Sequence, residues 1–155
     1  MDQAARAFNS ALNMLARRSR SVGELRQKLA DKGFSREEVT ATIDRLLALG
    51  FLDDGRLAGQ LAESLMRNRR MVGGRLRLEL KKRRIPDPLI EAVCEQAAAE
   101  CDRLSLLREI MASRYPDFDF NAATDREKRR VVGFLQRRGF HLSEILDNLR
   151  QRDCL

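Results

Sequence analysis

Tryptophan is absent from the 155 residues, tyrosine occurs once, and aromatic residues make up 5% of the chain. Base stacking on aromatic platforms is therefore poorly supported as a main grip on single strands. Phe34, Phe51 and Phe140 are better explained as core. Histidine occurs once, at His141, and the cysteines Cys94, Cys101 and Cys154 show no CxxC spacing. Structural zinc needs four such ligands in close pairs, so no metal site is expected. Cys94 and Cys101 stand two helical turns apart, too far for a disulfide within one straight helix. The thiols read as small buried apolar residues, with Cys154 a free tail thiol, in a reducing compartment. The longest nearly apolar run, Leu46 to Leu52, is far too short to span a bilayer. No apolar leader follows Asp2, so the expectation is a chain without a signal peptide, in the cytoplasm and away from membranes.

Enzyme signatures are missing too. There is no Gly-x-x-x-x-Gly-Lys-Ser/Thr loop, and Gly73-Gly74 follows no strand pattern. His141 has no evident Ser or Cys partner, and no carboxylate pair stands out as an acid–base couple. Asp53-Asp54 lacks a third carboxylate for a cation and reads as an N-cap. The expectation is a non-enzyme without cofactors.

Charge is plentiful. Lys and Arg number 30 against 23 Asp and Glu, a net charge of +7. The excess is concentrated. Nine basic residues, Arg67, Arg69, Arg70, Arg75, Arg77, Lys81, Lys82, Arg83 and Arg84, face one acid, Glu79, between positions 67 and 84. Five acids and no Lys or Arg then follow from Asp87 to Asp102. A solvated helical face usually mixes signs, so this block points to a phosphate or an acidic partner. Smaller sets are Arg17, Arg18, Arg20, Arg26 and Lys28 near the start, and Lys128, Arg129, Arg130, Arg137 and Arg138 near the end.

The punctuation is helical. Ser21 with Glu24, Ser35 with Glu38 and Thr124 with Glu127 have capping-box spacing. Asp87-Pro88 reads as an N-cap followed by Pro at the first helical position. Gly33, Gly50 and Gly139 follow periodic apolar segments, where helices end left-handed. No segment alternates long enough for a sheet, and roughly nine helices are expected.

One pattern occurs three times. Its copies start at Leu25, Leu76 and Val131, shifted by 51 and 55 residues. Aligned without gaps, the apolar anchors are Leu25/Leu76/Val131, Leu29/Leu80/Leu135, Phe34/Ile85/Phe140, Val39/Ile90/Ile145 and Ile43/Cys94/Leu149. The turn position is Gly33, Arg84 and Gly139, and Arg84 must adopt a left-handed backbone or end its helix differently. A helix precedes each pair. The expected fold is all-α, an elongated tandem array of three three-helix, helix-turn-helix-like repeats at 1–52, 53–100 and 101–155. Base reading has thin support: Arg26 and Gln27 on the second helix, and Arg36, Thr40, Thr42 and Arg45 on the third.

Three segments resemble the RecX family of RecA recombinase regulators. The first is Leu15-Ala-Arg-Arg-Ser-Arg-Ser21 with Glu24-Leu-Arg-Gln-Lys-Leu29 and Lys32-Gly-Phe34. The second, Leu49-Gly-Phe-Leu-Asp-Asp-Gly-Arg-Leu-Ala58, is similar to the family's Gly-(Tyr/Phe)-Leu-(Asp/Asn)-Asp-x-(Arg/Lys)-(Phe/Leu)-Ala junction and is the most specific of them. The third is Gly74-Arg-Leu-Arg-Leu-Glu-Leu80 with Arg84-Ile85 and Leu89-Ile90. The resemblance covers most of residues 10 to 100 and weakens beyond. Gly73-Gly74 stands where the family often has Gly-Pro, Arg84 replaces the usual turn Gly, and Gly55 replaces a common Ala. The resemblance implies a curved helical array. It implies a monomer that lies along the groove of RecA–DNA filaments and inhibits their ATPase, strand exchange and co-protease activities. It also implies some direct binding of single- or double-stranded DNA. The alternatives from the residues alone are a sequence-reading helix-turn-helix DNA-binding protein and a helical adaptor for an acidic protein.

Overall fold

The helices start where the sequence supplies caps. In the computed structural model, residues 2–152 are described, and Cys154 lies outside them. The described residues form nine α-helices and no strand: α1 Gln3–Arg17, α2 Val22–Asp31, α3 Arg36–Ala48, α4 Asp54–Arg69, α5 Gly73–Lys82, α6 Asp87–Glu100, α7 Arg103–Arg114, α8 Asp125–Arg137 and α9 Leu142–Arg152. All three capping boxes form, at Ser21, Ser35 and Thr124. In the first, Ser21 Oγ accepts from the Glu24 N–H at 3.0 Å and the Glu24 carboxylate accepts from the Ser21 N–H at 3.1 Å. The Asp87-Pro88 pair sits one residue further into its helix than expected. The Pro86 carbonyl accepts from the Leu89 and Ile90 N–H groups at 3.1 Å each, so Pro86 precedes α6. The Asp87 carboxylate lies 3.5 Å from Lys81 instead of capping.

The three expected turns share one geometry. Gly33, Arg84 and Gly139 have φ of +88°, +52° and +99°. Their N–H groups donate to the carbonyls of Ala30, Lys81 and Gln136 at 2.9, 2.9 and 3.0 Å. Arg84 thus keeps the geometry of the other two turns with a side chain that disfavours it, at about 1–2 kcal/mol.

The aligned anchors are buried almost throughout. Leu29, Leu80 and Leu135 are fully buried, as are Leu25, Leu76 and Val131 within 2%. Phe34 and Cys94 are only half-buried. Phe51, expected in the core, is 55% exposed. Its N–H donates to the Leu46 carbonyl at 2.9 Å at the end of α3, and Leu52 takes the buried place.

The described chain divides into two compact units, residues 2–61 with 78–93 and residues 62–77 with 94–152, so the division falls inside α4, α5 and α6. In the first unit α1 packs on α2 and α3 around Ala11, Met14, Leu25, Leu29, Ile43 and Leu46. In the second, α7 and α8 both pack on α9 around Leu107, Met111, Val131, Leu135, Ile145 and Leu149. Val72, just before α5, enters that second core.

Each unit contains the same junction, in which the start of one repeat's second helix meets the turn of the following repeat. In the first unit Ser21 Oγ donates to the Arg83 carbonyl at 2.5 Å, and the Arg83 guanidinium donates to the Ser19 carbonyl at 2.8 Å. In the second unit Val72 and Arg138, aligned with Ser21 and Arg83, repeat the motif, with Arg69 one position before the residue aligned with Ser19. The Val72 N–H donates to the Arg138 carbonyl at 2.9 Å, and the Arg138 guanidinium donates to the Arg69 carbonyl. The backbones approach closely at both. A Cβ on Gly23 would stand 2.8 Å from the Arg84 Cβ, and one on Gly139 would overlap the Val72 carbonyl oxygen.

Candidate nucleic-acid interface

In the first unit many of the basic residues are tied to carboxylates. The Glu24 carboxylate accepts from Arg83 Nε at 2.8 Å and from Arg18 at 3.1 Å. Burial raises its pKa, but the Arg83 hydrogen bond, the Ser21 N–H and the two guanidinium charges outweigh burial and hold it below the ordinary value. Arg83 is therefore a structural tie as well as a cation. Lys81 pairs with Asp87, and Lys82 with Glu79 at 2.9 Å. Arg17, Arg26, Lys28 and Arg84 are exposed, and Arg20 is half-buried. Half of the expected base-reading set is occupied, while Arg26 and Arg36 are exposed. Thr42 is 4% exposed, Arg45 stacks on the Phe8 ring at 4.1 Å, and Gln27 donates to Asp31 at 2.7 Å.

Asp53 and Asp54 both serve the backbone. Asp53 Oδ1 accepts from the Arg56 N–H at 2.9 Å and caps α4. Asp54 Oδ1 accepts from the Val22 N–H at 2.9 Å, at the start of α2. Burial pushes the Asp54 carboxyl up, with Asp53 and Glu24 adding repulsion against the hydrogen bond from Val22. No group of three metal-ligating side chains occurs among the described residues. The first unit also carries a groove of about 770 Å³ lined by Leu12, Leu15, Leu47, Phe51 and Leu57 together with Arg20, Asp53, Arg56 and Gln60.

The second unit is different. Arg67 pairs with Glu63, and Arg75 and Arg77 are also engaged. Lys128 lies over the Phe120 ring at 4.8 Å, Arg129 donates to the Asp125 carbonyl, and Arg130 is exposed. Arg69, Arg70 and Arg138 instead converge with Arg114 on a cleft of about 380 Å³. Arg114 and Arg138 lie over the Phe134 ring at 4.6 and 4.9 Å. Arg70 Nη1 donates to Ser113 Oγ at 3.1 Å. Among the described residues none of these four arginines forms an ion pair with a carboxylate. Partial burial, then the charges of Arg114, Arg69, Arg137 and Arg70, push the Arg138 guanidinium below its ordinary value. Arg114 was invisible as a site residue in the sequence because it stands alone at the end of α7. Only the fold brings it to the end of α4.

The half-buried thiols Cys94 and Cys101 line a small cavity of about 50 Å³, and burial raises both. His141 is exposed, and its N–H donates to Glu144 at 2.7 Å at the start of α9. Glu144 also receives Arg103 Nε and Nη2 at 2.8 and 2.9 Å.

Comparison with known proteins decides the family. The model described as the first three-helix domain of RecX matches residues 7–46, and that of the second matches residues 53–93. The chain belongs to the RecX family. Regulatory protein RecX of Trichlorobacter lovleyi is 36% identical over 97% of both chains. Regulatory protein RecX of Syntrophotalea carbinolica is 35% identical, over 86% of this chain and 88% of its own. The crystal structure of RecX from Lactobacillus salivarius superposes with a TM-score of 0.76 over 99% of both chains at 21% identity, so it shows the shared fold. The RecX relatives cover the third repeat as well, where the motif resemblance is weakest. These relatives are named regulatory proteins, and no described helix is long and apolar enough to cross a membrane.

Proposed function

We propose that this RecX-family chain is a non-enzymatic regulator of RecA recombinase–DNA filaments. It would lie along the filament groove as a cytoplasmic monomer, with three modules at 1–52, 53–100 and 101–155. Binding there would inhibit ATP hydrolysis, strand exchange and co-protease activity. The observation that carries this reading is end-to-end similarity to proteins named regulatory protein RecX. The surface supports it. A protein–DNA filament offers acidic protein surface and phosphate together, and the cleft of the second unit offers guanidiniums that no described carboxylate pairs. Inhibition is limited by the difference in affinity between filament states.

Co-sedimentation tests the proposal. The chain should pellet with recombinase filaments on single-stranded DNA at concentrations where naked DNA retains little of it. Equal retention by naked DNA and filament would sink the filament reading. The rival, a sequence-reading DNA-binding protein, requires a selected duplex motif. The occupied side chains of α3, Thr42 and Arg45, argue against it.

A further inference from the structure

In the cleft of the second unit the fold has assembled positive charge that no carboxylate neutralises among the described residues. Arginines at helix C-termini are ordinarily explained by the helix dipole. Here α4 ends at Arg69, α7 at Arg114 and α8 at Arg137, with Arg138 as the C-cap of α8. Each helix end supplies about half a negative charge, so three ends offset about one and a half of the four guanidinium charges. An excess of about two and a half charges remains by the same reckoning.

The cations are also placed rather than loose. The guanidiniums of Arg114 and Arg138 lie over Phe134, and stacking of this kind leaves the in-plane N–H groups free to donate. Arg138 is anchored through the Arg69 carbonyl and Arg70 through Ser113 Oγ. Arg70 has φ +50°, a left-handed position where glycine would be the unstrained choice. Strain at a position that aims a side chain into a charged cleft points to use of that side chain. Planar guanidinium forks match the paired oxygens of a phosphodiester.

We infer that this cleft, formed by Arg69, Arg70, Arg114 and Arg138 around Phe134, binds the phosphodiester backbone of a nucleic acid. The inference rests on the proposed function for placing DNA within reach, and it names the contact that function leaves unassigned. Several separate cations around an open cleft suit successive backbone phosphates better than one free anion. A backbone contact of this kind positions the protein without reading sequence.

The test is fluorescence anisotropy with the full chain and a labelled single-stranded oligonucleotide, across a salt series, with no recombinase present. The cleft variant is Arg70→Gly with Arg114→Gln. Glycine suits the backbone at position 70, and circular dichroism checks the fold. The control, Arg6→Gln with Arg126→Gln, removes the same charge at exposed positions elsewhere. A second variant, Arg70→Lys with Arg114→Lys, keeps charge and loses the forks. The cleft variant should weaken binding about tenfold or more and lower the logarithmic salt slope by about 1.4, for two lost phosphate contacts. The control should change affinity less than about twofold, and the lysine variant should fall between. Equal losses in cleft variant and control would overturn the inference in favour of general attraction. Displacement of DNA by millimolar inorganic phosphate, beyond the effect of chloride at equal ionic strength, would make the cleft a free-anion site instead. A larger loss for an oligoglutamate peptide than for DNA would assign it to an acidic protein. A wild-type chain that inhibits filaments yet binds no oligonucleotide would overturn this inference and leave the proposed function standing. A cleft variant that loses DNA and still inhibits in full would uphold this inference and show that inhibition does not pass through the cleft.

Discussion

Ser21 and Arg83 are joined by a 2.5 Å hydrogen bond from hydroxyl to carbonyl, across sixty-two positions of sequence. The same hydroxyl accepts from Glu24 to cap α2, so one fully buried side chain fixes a helix start and a junction between repeats. Ser21→Ala should lower unfolding free energy by about 1–3 kcal/mol, combining a lost cap with an unsatisfied acceptor. Urea denaturation of both proteins measures this. A loss below about 0.3 kcal/mol would show the junction bond to be incidental.

The three aligned turns separate strain from space. Gly33→Ala meets nothing within 4 Å and should cost only the left-handed strain, about 1–2 kcal/mol. Gly139→Ala adds a clash with the Val72 carbonyl and should cost clearly more. Arg84→Gly relieves strain at φ +52° and should raise stability by up to about 1 kcal/mol, after the entropy that glycine adds to the unfolded chain. Thermal melts should rank Arg84→Gly above wild type, then Gly33→Ala, then Gly139→Ala. Any other order would mean that the turn conformations differ from those described.

Glu144 supplies a pH dependence. The Arg103 hydrogen bond first, then the His141 N–H and the Arg103 charge, outweigh burial and bring its carboxyl to about 2. A carboxyl lowered in the folded state stabilises above its unfolded value and loses that contribution as pH falls through the folded value. Glu144→Gln should therefore be less stable than wild type at pH 7, with the gap closing between about 4.5 and about 2. Urea midpoints at pH 7, 4 and 2.5 give the comparison. A gap unchanged at pH 2.5 would remove the Arg103 pair as its source.

Reversing charge should act unevenly along the basic block. Arg69→Glu with Arg70→Glu removes guanidiniums that no described carboxylate holds, and should weaken filament inhibition about tenfold or more. Lys81→Glu with Lys82→Glu changes exposed side chains already paired with Asp87 and Glu79, and should weaken it severalfold less. Half-inhibition concentrations for the two variants settle the order. Equal losses would mean that net charge alone governs binding.

The helices and the repeat were legible because they depend on local chemistry. Capping boxes at Ser21, Ser35 and Thr124 and apolar anchors such as Leu29, Leu80 and Leu135 report themselves in a few residues. Phe51 was misjudged because hydrophobicity alone said core: Phe140 makes the equivalent backbone bond and is buried, whereas at Phe51 the next residue, Leu52, takes the buried place. The site was less legible. Basic density marked Arg69 and Arg70, but density does not tell an unpaired guanidinium from one tied to Glu24, as Arg83 is. Arg114 carried no signal, since its neighbours in the cleft come from α4 and α8 rather than from its own segment.

The most direct measurement is the DNA-dependent ATPase of RecA on single-stranded DNA with this chain titrated in, repeated with excess DNA. The account predicts inhibition at well below one chain per recombinase, persisting when DNA is in excess. Absence of inhibition, or inhibition that excess DNA abolishes, would contradict filament regulation and leave DNA binding as the function.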